Sequence, residues 1–446
     1  MAPWNRKRLK SGNLWIISEG LSETINLMSP FFYYTYQEVE NMMKHVTLIV
    51  LALLIVPCMV PAQASAPATQ PAHGEPLALE NKDNVNAEIN ELTKLAYEGG
   101  TVPLTTTPVI GTPHRKYDSA FKPGAEPLDP DEIRVAILGS GDPFVKAGQA
   151  SASVLIEVGN EQHDLFFFDL GSGALAHFNG LQLPVTSTTK VFLTHLHADH
   201  VGDMPTLLWS LAKSGRRDPV EVWGPAGETK NLGTLAYTRH LEAAHAWDTE
   251  SMKGHPGQFG ARTITTEIPY DKPAIVYERN GVRISSFPVI HAMKGAIGYR
   301  LDYKGTSVVF SGDTLPCETF LEACKGGVDL LIHETFPQAA VFAKKASVPK
   351  GQAETIVNKG HTSPATVGKV FKRARARMSV MWHLVVDHDT VGPAYREMRS
   401  QYDGPVTIAQ DLTVFNITRD AVVVRQAIID PVAWPVIQDS GSSTQK

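Results

Sequence analysis

From His195 to His200 the chain reads HLHADH, which puts four metal-binding side chains into six residues directly behind an apolar strand, KVFLT at 190–194. Successive side chains of an extended loop point to opposite sides, so His195 and His197 face the same way and can share one cation. Asp199 and His200 sit where the loop enters a helix, expected from about Gly202 to Lys213 and stopping before Gly215, and can turn towards a second cation. Histidine combined with aspartate suits Zn2+, Mn2+ or Fe better than Ca2+ or Mg2+. Such a loop needs a fold that carries further ligands to it, and three candidates stand at the ends of apolar strands. His291 follows SSFPVI, Asp313 follows SVVFSG and His383 follows SVMW, with Gly312 leaving room for close backbone approach. One histidine at a strand end is more often structural than a ligand. Taken with the loop, these residues complete a site for two metals: His195, His197 and His291 for the first, Asp199, His200 and His383 for the second, and Asp313 bridging both.

The rest of the chain alternates short apolar runs with helical patterns. Strands are expected at IRVAILG from Ile133, within SASVLIEVG and DLFFFDLGSG, at Val220–Trp223, Ile275–Glu278, Val282–Pro288, Ile297–Tyr303, Ser307–Ser311, Val328–His333 and Met378–His383. A helix is expected from Pro364 to Arg377, with Thr362 or Ser363 as its N-cap. Strands mixed with helices throughout argue for α/β layers, sheets inside and helices outside. Residues 226–270 carry LAYTRHLEAAHAWD and then a glycine-rich stretch; His240, His245, Trp247 and His255 give this segment the look of a lid, with ordinary helix packing as the competing reading.

The N-terminus reads differently. VTLIVLALLIVPCMV, Val46 to Val60, is preceded by Lys44 and followed by small residues through Ala66, the pattern of a cleaved secretory signal. It is shorter than the ~20 residues of a spanning helix, so no stable membrane span is expected after cleavage. Residues 1–64 are therefore taken as a spurious extension from an over-long gene model, true start near Met42 or Met43, plus the signal peptide. Residues 65–130 are taken as an extended arm with a short helix at Ala87–Tyr97 capped by Asn86, residues 131–430 as the catalytic domain, and residues 431–446 as a flexible tail. Only Cys317 and Cys324 follow the signal, too few for a disulfide scaffold, and packing as small apolar residues suits them. The net charge of −5 gives no basic footprint for nucleic acid. The one basic run, Lys372 to Arg377, lies opposite Val367, Val370, Phe371 and Ala374 on a helix and reads as a solvated face.

These motifs resemble the metallo-β-lactamase superfamily, and within it the ribonuclease Z and arylsulfatase branch, over about residues 133–425. The resemblance implies an αββα fold, two mixed β-sheets sandwiched between helices. Phe168-Asp169-Leu170-Gly171 resembles the family's first motif, whose Asp supports the metal loop from behind; HLHADH resembles the second, His291 the third, SGDT at 311–314 the fourth and His383 the fifth. Asp313 in place of a Cys separates the chain from lactamases that hydrolyse antibiotics. His333-Glu334-Thr335 and His361-Thr362-Ser363-Pro364 resemble paired loops of ribonuclease Z, which implies that Glu334 orients His361 for proton donation to the leaving oxygen. Asp199 is the further catalytic candidate, relaying the proton of the attacking water. The long basic, glycine-rich arm that grips tRNA in many members is not recognisable in this sequence. The expectation is therefore an exported hydrolase, periplasmic or secreted, with two Zn2+ per chain (Mn2+ or Fe as alternatives). It would cleave a small sulfate or phosphate ester through a hydroxide shared by the metals; nucleic acid is not expected as a partner, and a homodimer is implied only by analogy. A phosphodiesterase or 3′-processing nuclease like ribonuclease Z is the alternative within hydrolases. A mononuclear iron dioxygenase on the same fold is the alternative from another class, disfavoured by the full second-metal set. A metal-bearing binding protein without turnover would need a missing ligand, and none is missing.

Overall fold

The computed structural model describes residues 108–437 except 388, together with the backbone of short strands at 6–8, 15–17 and 104–105. The signal and start-site readings, and the helix at 87–97, fall outside the described residues. The chain divides into two units, Met1–Ala78 and Leu79–Lys446. In the first, Arg6–Arg8 pairs antiparallel with Trp15–Ile17. Both larger sheets lie in the second.

Fifteen strands build its two sheets: β1 (Ile133–Gly139), β2 (Ser153–Val158), β3 (Leu165–Phe168), β4 (Lys190–Phe192), β5 (Val220–Pro225), β6 (Thr263–Ile268), β7 (Ala274–Arg279), β8 (Val282–Pro288), β9 (Ile297–Tyr303), β10 (Thr306–Phe310), β11 (Leu330–Glu334), β12 (Met378–Trp382), β13 (Val406–Ile408), β14 (Thr413–Ile417) and β15 (Ala421–Ala427). The first sheet runs β6-β5-β4-β3-β2-β1-β14-β15 and the second β7-β8-β9-β10-β11-β12-β13, each extended by short strands from the residues before 133. Both are mixed: β3, β4, β5 and β6 run parallel, as do β10, β11, β12 and β13, while the hairpins are antiparallel. Val154, Ile156, Phe166, Phe168 and Phe192 of one sheet meet Ile284, Tyr299, Leu301, Phe310 and Trp382 of the other in the central core. The outer face of the first sheet is covered by α1 (Ala174–Gly180) and the helical stretch at 206–213; that of the second by a short helix at Glu318–Ala323, by α2 (Pro364–Ala374) and by α3 (Val391–Arg399). Strands such as IRVAILG and LFFF are buried along their whole length because apolar layers press on both faces. The αββα expectation holds. No helix of the described residues is long and apolar enough to cross a membrane.

Three local expectations are corrected, and one left open is decided. The helix behind the metal loop begins earlier, at Ala198–Val201, and resumes with a π-helical turn at Thr206–Ser210 before Leu211–Lys213. The end of the supposed arm joins the sheet, Val109–Gly111 and Ala120–Phe121 both pairing with β15, because the exposed edge of that strand offers free backbone groups. The start of the supposed tail is also held, since Val185 N–H donates to the Val436 carbonyl. Finally, residues 226–270 form a parallel crossover from β5 to β6. Its helix Thr234–Ala244 packs on both strands, His245 stacks on Trp209 at 4.3 Å, and Trp209 donates to Thr249. The segment thus covers the helix behind the metal loop. His255 Nδ1 accepts from Gly257 N–H within that segment, and the Trp247 side chain faces solvent.

Candidate metal centre

The metal loop leaves the end of β4 between the two sheets. Asp169, at the end of β3, takes a left-handed backbone conformation (φ 56°) that turns its carboxylate under the loop. There Oδ1 accepts from Thr194 N–H at 2.7 Å, and Oδ2 accepts from Thr194 Oγ1 and His200 Nδ1, both at 2.8 Å. Thr194 Oγ1, its own proton given to Asp169, accepts from His195 Nδ1 at 3.0 Å. One buried carboxylate therefore fixes the tautomers of two histidines and leaves the Nε2 lone pair of each facing forward. His291 is set the same way, Nδ1 donating to the Gly360 carbonyl at 2.7 Å. The other sheet grips the loop from across the sandwich: Tyr299 hydroxyl donates to the Leu193 carbonyl at 2.7 Å, and Ile297 N–H to that of Thr194. Gly312, at φ 57°, lets the Asp313 turn pass so close to Thr194 that a Cβ there would lie 2.6 Å from its Cβ.

All seven proposed ligands come together. His195 Nε2 and His291 Nε2 lie 2.9 and 3.1 Å from His197 Nδ1, three ring nitrogens converging on one point. His200 Nε2 lies 3.5 Å from Asp199 Oδ2 and 3.4 Å from Asp313 Oδ1, and His383 Nε2 lies 3.2 and 3.5 Å from the same two oxygens. Asp313 spans the sets, with Oδ1 towards the second and Oδ2 3.9 Å from His291 Nε2 of the first. Two groups of four emerge, His195/His197/His291/Asp313 and Asp199/His200/Asp313/His383.

The donor chemistry fits divalent cations. His200 Nε2 and Asp313 Oδ1 are buried without a hydrogen-bond partner, and both face the space between the ligands. The ion-pair partners of Asp199, Asp313 and Glu334 are histidines, so buried carboxylates cluster where no lysine or arginine among the described residues pairs with them. Burial, followed by the charge on His200, holds His195 well below the usual imidazole range, and burial takes His291 down to about 4, so both are neutral donors. His200 and His383 go the other way. Burial opposes their charge, but Asp313 and its neighbours outweigh it, lifting His383 to about 9 and His200 well up. Burial would raise Asp199 and Asp313; His200 and His383 prevail and draw Asp199 to about 2 and Asp313 well down. Positive charge on these two histidines offsets the carboxylates in the place where a bound cation would do so.

Glu334 and His361 adjoin this cluster. Glu334, at the end of β11, accepts through Oε1 from the N–H groups of Thr314 and Thr362 at 3.1 and 3.0 Å, which ties the two loops together. His361 Nδ1 is 3.3 Å from that oxygen and 3.9 Å from Asp313 Oδ2, and its ring stacks on Phe336 at 4.2 Å. Ser363 is the N-cap of α2 by position but makes no side-chain cap bond, and Thr362 Oγ1 donates instead to the Thr314 carbonyl. Sequence reasoning missed Thr194, Tyr299 and Phe336. Adjacency to the HLHADH loop was a usable signal for Thr194, whereas Tyr299 and Phe336 read only as core aromatics.

A family model described as a beta-lactamase superfamily domain matches residues 168–384, from the residue before Asp169 to the residue after His383. A ribonuclease Z of Mycobacterium avium is 31% identical over 261 residues, 57% of this chain and 86% of that protein. One from Methanosarcina acetivorans is 26% identical over 320 residues, 64% of this chain and 98% of that protein. Among solved structures, the metallo-beta-lactamase fold protein YhfI from Bacillus subtilis aligns with 64% of this chain and all of its own, at 20% identity and a TM-score of 0.48.

Proposed function

The chain belongs to the metallo-β-lactamase superfamily, in its ribonuclease Z branch, and from this we propose that it is a phosphodiesterase working with two zinc ions. It is a metal-dependent hydrolase of ester bonds; the diester substrate and the zinc pair are our reading. The observation that carries it is Asp313, whose two oxygens face two separate sets of nitrogen and oxygen donors. His195, His197 and His291 would hold one cation, Asp199, His200 and His383 the other, with Asp313 on both. Bound there, the ions supply Lewis acidity and a water acidified to a pKa of about 7. The protein's own groups do the rest. Asp169 and Gly360 fix the histidine tautomers that keep Nε2 lone pairs available. Asp199, whose Oδ2 faces His200 and His383 across the ligand space, would accept the proton of the attacking water. Burial works against charge on His361, but Glu334 outweighs it and holds the ring above the ordinary imidazole value, which suits it to protonate the departing oxygen. The preference for a phosphodiester over a sulfate ester, the first expectation from sequence, follows from the relatives, which are ribonucleases Z.

A second reading retains a small sulfate or phosphate ester with an apolar leaving group. It rests on the loop 140–150, clamped beside His383 by Gln149, which donates to the Leu384 carbonyl and accepts from Val386 N–H. That loop presents Phe144 and Val145 to solvent, and Phe144 touches Phe342, which touches the Phe336 beneath His361. Export directed by the apolar run at 46–60 goes with this second reading.

The test is a panel of bis(nitrophenyl) phosphate, an RNA with a 3′ extension, nitrophenyl phosphate and nitrophenyl sulfate, assayed on chelator-stripped and zinc-reloaded protein. Diester or RNA cleavage that disappears on stripping and returns with zinc supports the phosphodiesterase. Turnover of monoesters or sulfate alone supports the second reading, and no turnover of any after reloading overturns both.

A further inference from the structure

Three side chains outside the ligand sets form a line that ends behind His383. His383 follows β12 and takes a left-handed backbone conformation, φ 60°, which a residue other than glycine keeps only where its surroundings hold it. Trp382, before it, donates through Nε1 to the Gly139 carbonyl at 2.9 Å. After it the chain is held by Gln149, whose Nε2 donates to the Leu384 carbonyl at 2.8 Å and whose Oε1 accepts from Val386 N–H at 3.2 Å. The same Nε2 donates to Ser140 Oγ at 2.9 Å, and that hydroxyl gives its own proton to Asp411 Oδ1 at 2.7 Å. Asp411 stands between β13 and β14 and ties both ends of the loop 140–150. Its Oδ1 also accepts from Ser140 N–H at 2.8 Å, and its Oδ2 from Ala150 N–H at 2.6 Å. No lysine or arginine among the described residues pairs with this mostly buried carboxylate; His177 is 3.8 Å away and turns Nδ1 to the Leu138 carbonyl at 2.6 Å. Burying such a charge is costly, and what it contributes is one fixed point for three converging donors.

We propose that Asp411 is a positioning residue for the second cation site: through Ser140 and Gln149 it fixes the backbone from which His383 presents Nε2 to Asp199 and Asp313, at 3.2 and 3.5 Å. The proposal rests on the reading of His383 as a ligand of the second cation. Every proton of the line has one direction. Both Gln149 amide protons are spent, one on Ser140 and one on Leu384, and the Ser140 proton is spent on Asp411. Asp411→Asn accepts at one atom only and turns an NH2 towards Ser140 or Ala150, so one end of the loop opens and Gln149 loses its fixed place. Gln149→Ala cuts the line at its other end. Ser140→Ala cuts it in the middle and leaves both backbone bonds to Asp411. Groups that orient a ligand from behind are worth about 10- to 100-fold in metal affinity.

The experiment is a competition titration of the full chain with a chromophoric zinc chelator that resolves the two zincs, with the thermal midpoint of the metal-free protein alongside. It compares wild type, Asp411→Asn, Ser140→Ala, Gln149→Ala and the double variant Asp411→Asn/Gln149→Ala. The expected result is a first zinc unchanged throughout and a second bound about tenfold or more weakly in each single variant. The double variant should be no weaker than the worse of its two parents, because both changes break one line. A merely structural role would lower the thermal midpoint and leave the second zinc alone, as Glu126→Gln should, the partners of Glu126 being Arg425 and Arg115. Wild-type affinity for the second zinc in folded Ser140→Ala or Gln149→Ala overturns the proposal. So do losses that multiply in the double variant, or that fall equally on both zincs. Fewer than two zincs in wild type overturns the two-cation reading itself, a failure distinct from unaltered variants of a protein that binds two.

Discussion

Replacing Asp169 by asparagine keeps the size of the side chain and removes one acceptor from beneath the metal loop. Asn Oδ1 can still accept from Thr194 N–H, in the place of the bond now 2.7 Å long. The amide NH2 then stands 2.8 Å from His200 Nδ1, where an acceptor was. Two donors cannot face each other, so His200 must turn its proton to Nε2, the atom that faces Asp199 and Asp313. The second-metal ligand is lost without a change to any ligand residue. A hydrogen bond to a charged group is worth about 1.5–3 kcal/mol, and at 1.4 kcal/mol per factor of ten the second cation should bind about 10- to 150-fold more weakly. A competition titration with a chromophoric chelator reads this directly, with far-UV circular dichroism confirming that the fold is kept. Activity should fall at limiting zinc and recover at excess. Wild-type affinity in a folded Asp169→Asn protein would refute the claim that this carboxylate sets the tautomer.

Gly312→Ala forces a side chain into the left-handed region and against Thr194, at a combined cost of about 2–5 kcal/mol in urea unfolding; a loss below ~1 kcal/mol would show that the turn relaxes freely. Tyr299→Phe leaves the Leu193 carbonyl buried without its donor and should cost about 1–3 kcal/mol while loosening the metal loop, seen as faster hydrogen exchange at residues 194–196. Glu126 is held below its ordinary pKa of 4.5 because, against the opposing effect of burial, Arg425 grips both its oxygens at 2.7 and 2.8 Å. Its stabilising contribution is thus complete above pH 4.5 and lost as the pH falls through the lower folded value. Glu126→Gln should flatten that acid limb of the stability curve, and an unchanged limb would count against the pairing.

The parts of this protein legible in sequence are those where local pattern and tertiary demand coincide. HLHADH, SGDT and the two strand-end histidines declare themselves because the chemistry of a metal admits few residue types, and the sheets declare themselves because LFFF and SVMW must be buried on both faces. Less was visible where packing overrides pattern. At 226–270 the sequence left a lid and ordinary helix packing both open because its histidines stood out; His245 is spent on Trp209, which favours packing. The strand Thr263–Ile268 was not recognised because it is an edge strand, half exposed, with threonines in place of a continuous apolar run. The helices at Ala339–Ala346 and Lys350–Gly360 escaped for a related reason: they share a small core of their own, Phe336, Phe342, Ala353 and Val357, rather than an apolar stripe against a sheet.

The central claim is that one carboxylate joins two cation sites. Crystals of zinc-loaded protein, measured with X-rays at the zinc absorption edge, test it most directly. Two anomalous peaks are predicted, one among His195, His197 and His291 and one among Asp199, His200 and His383, with an Asp313 oxygen on each. A single peak in fully loaded protein, or Asp313 bound to neither, would contradict it.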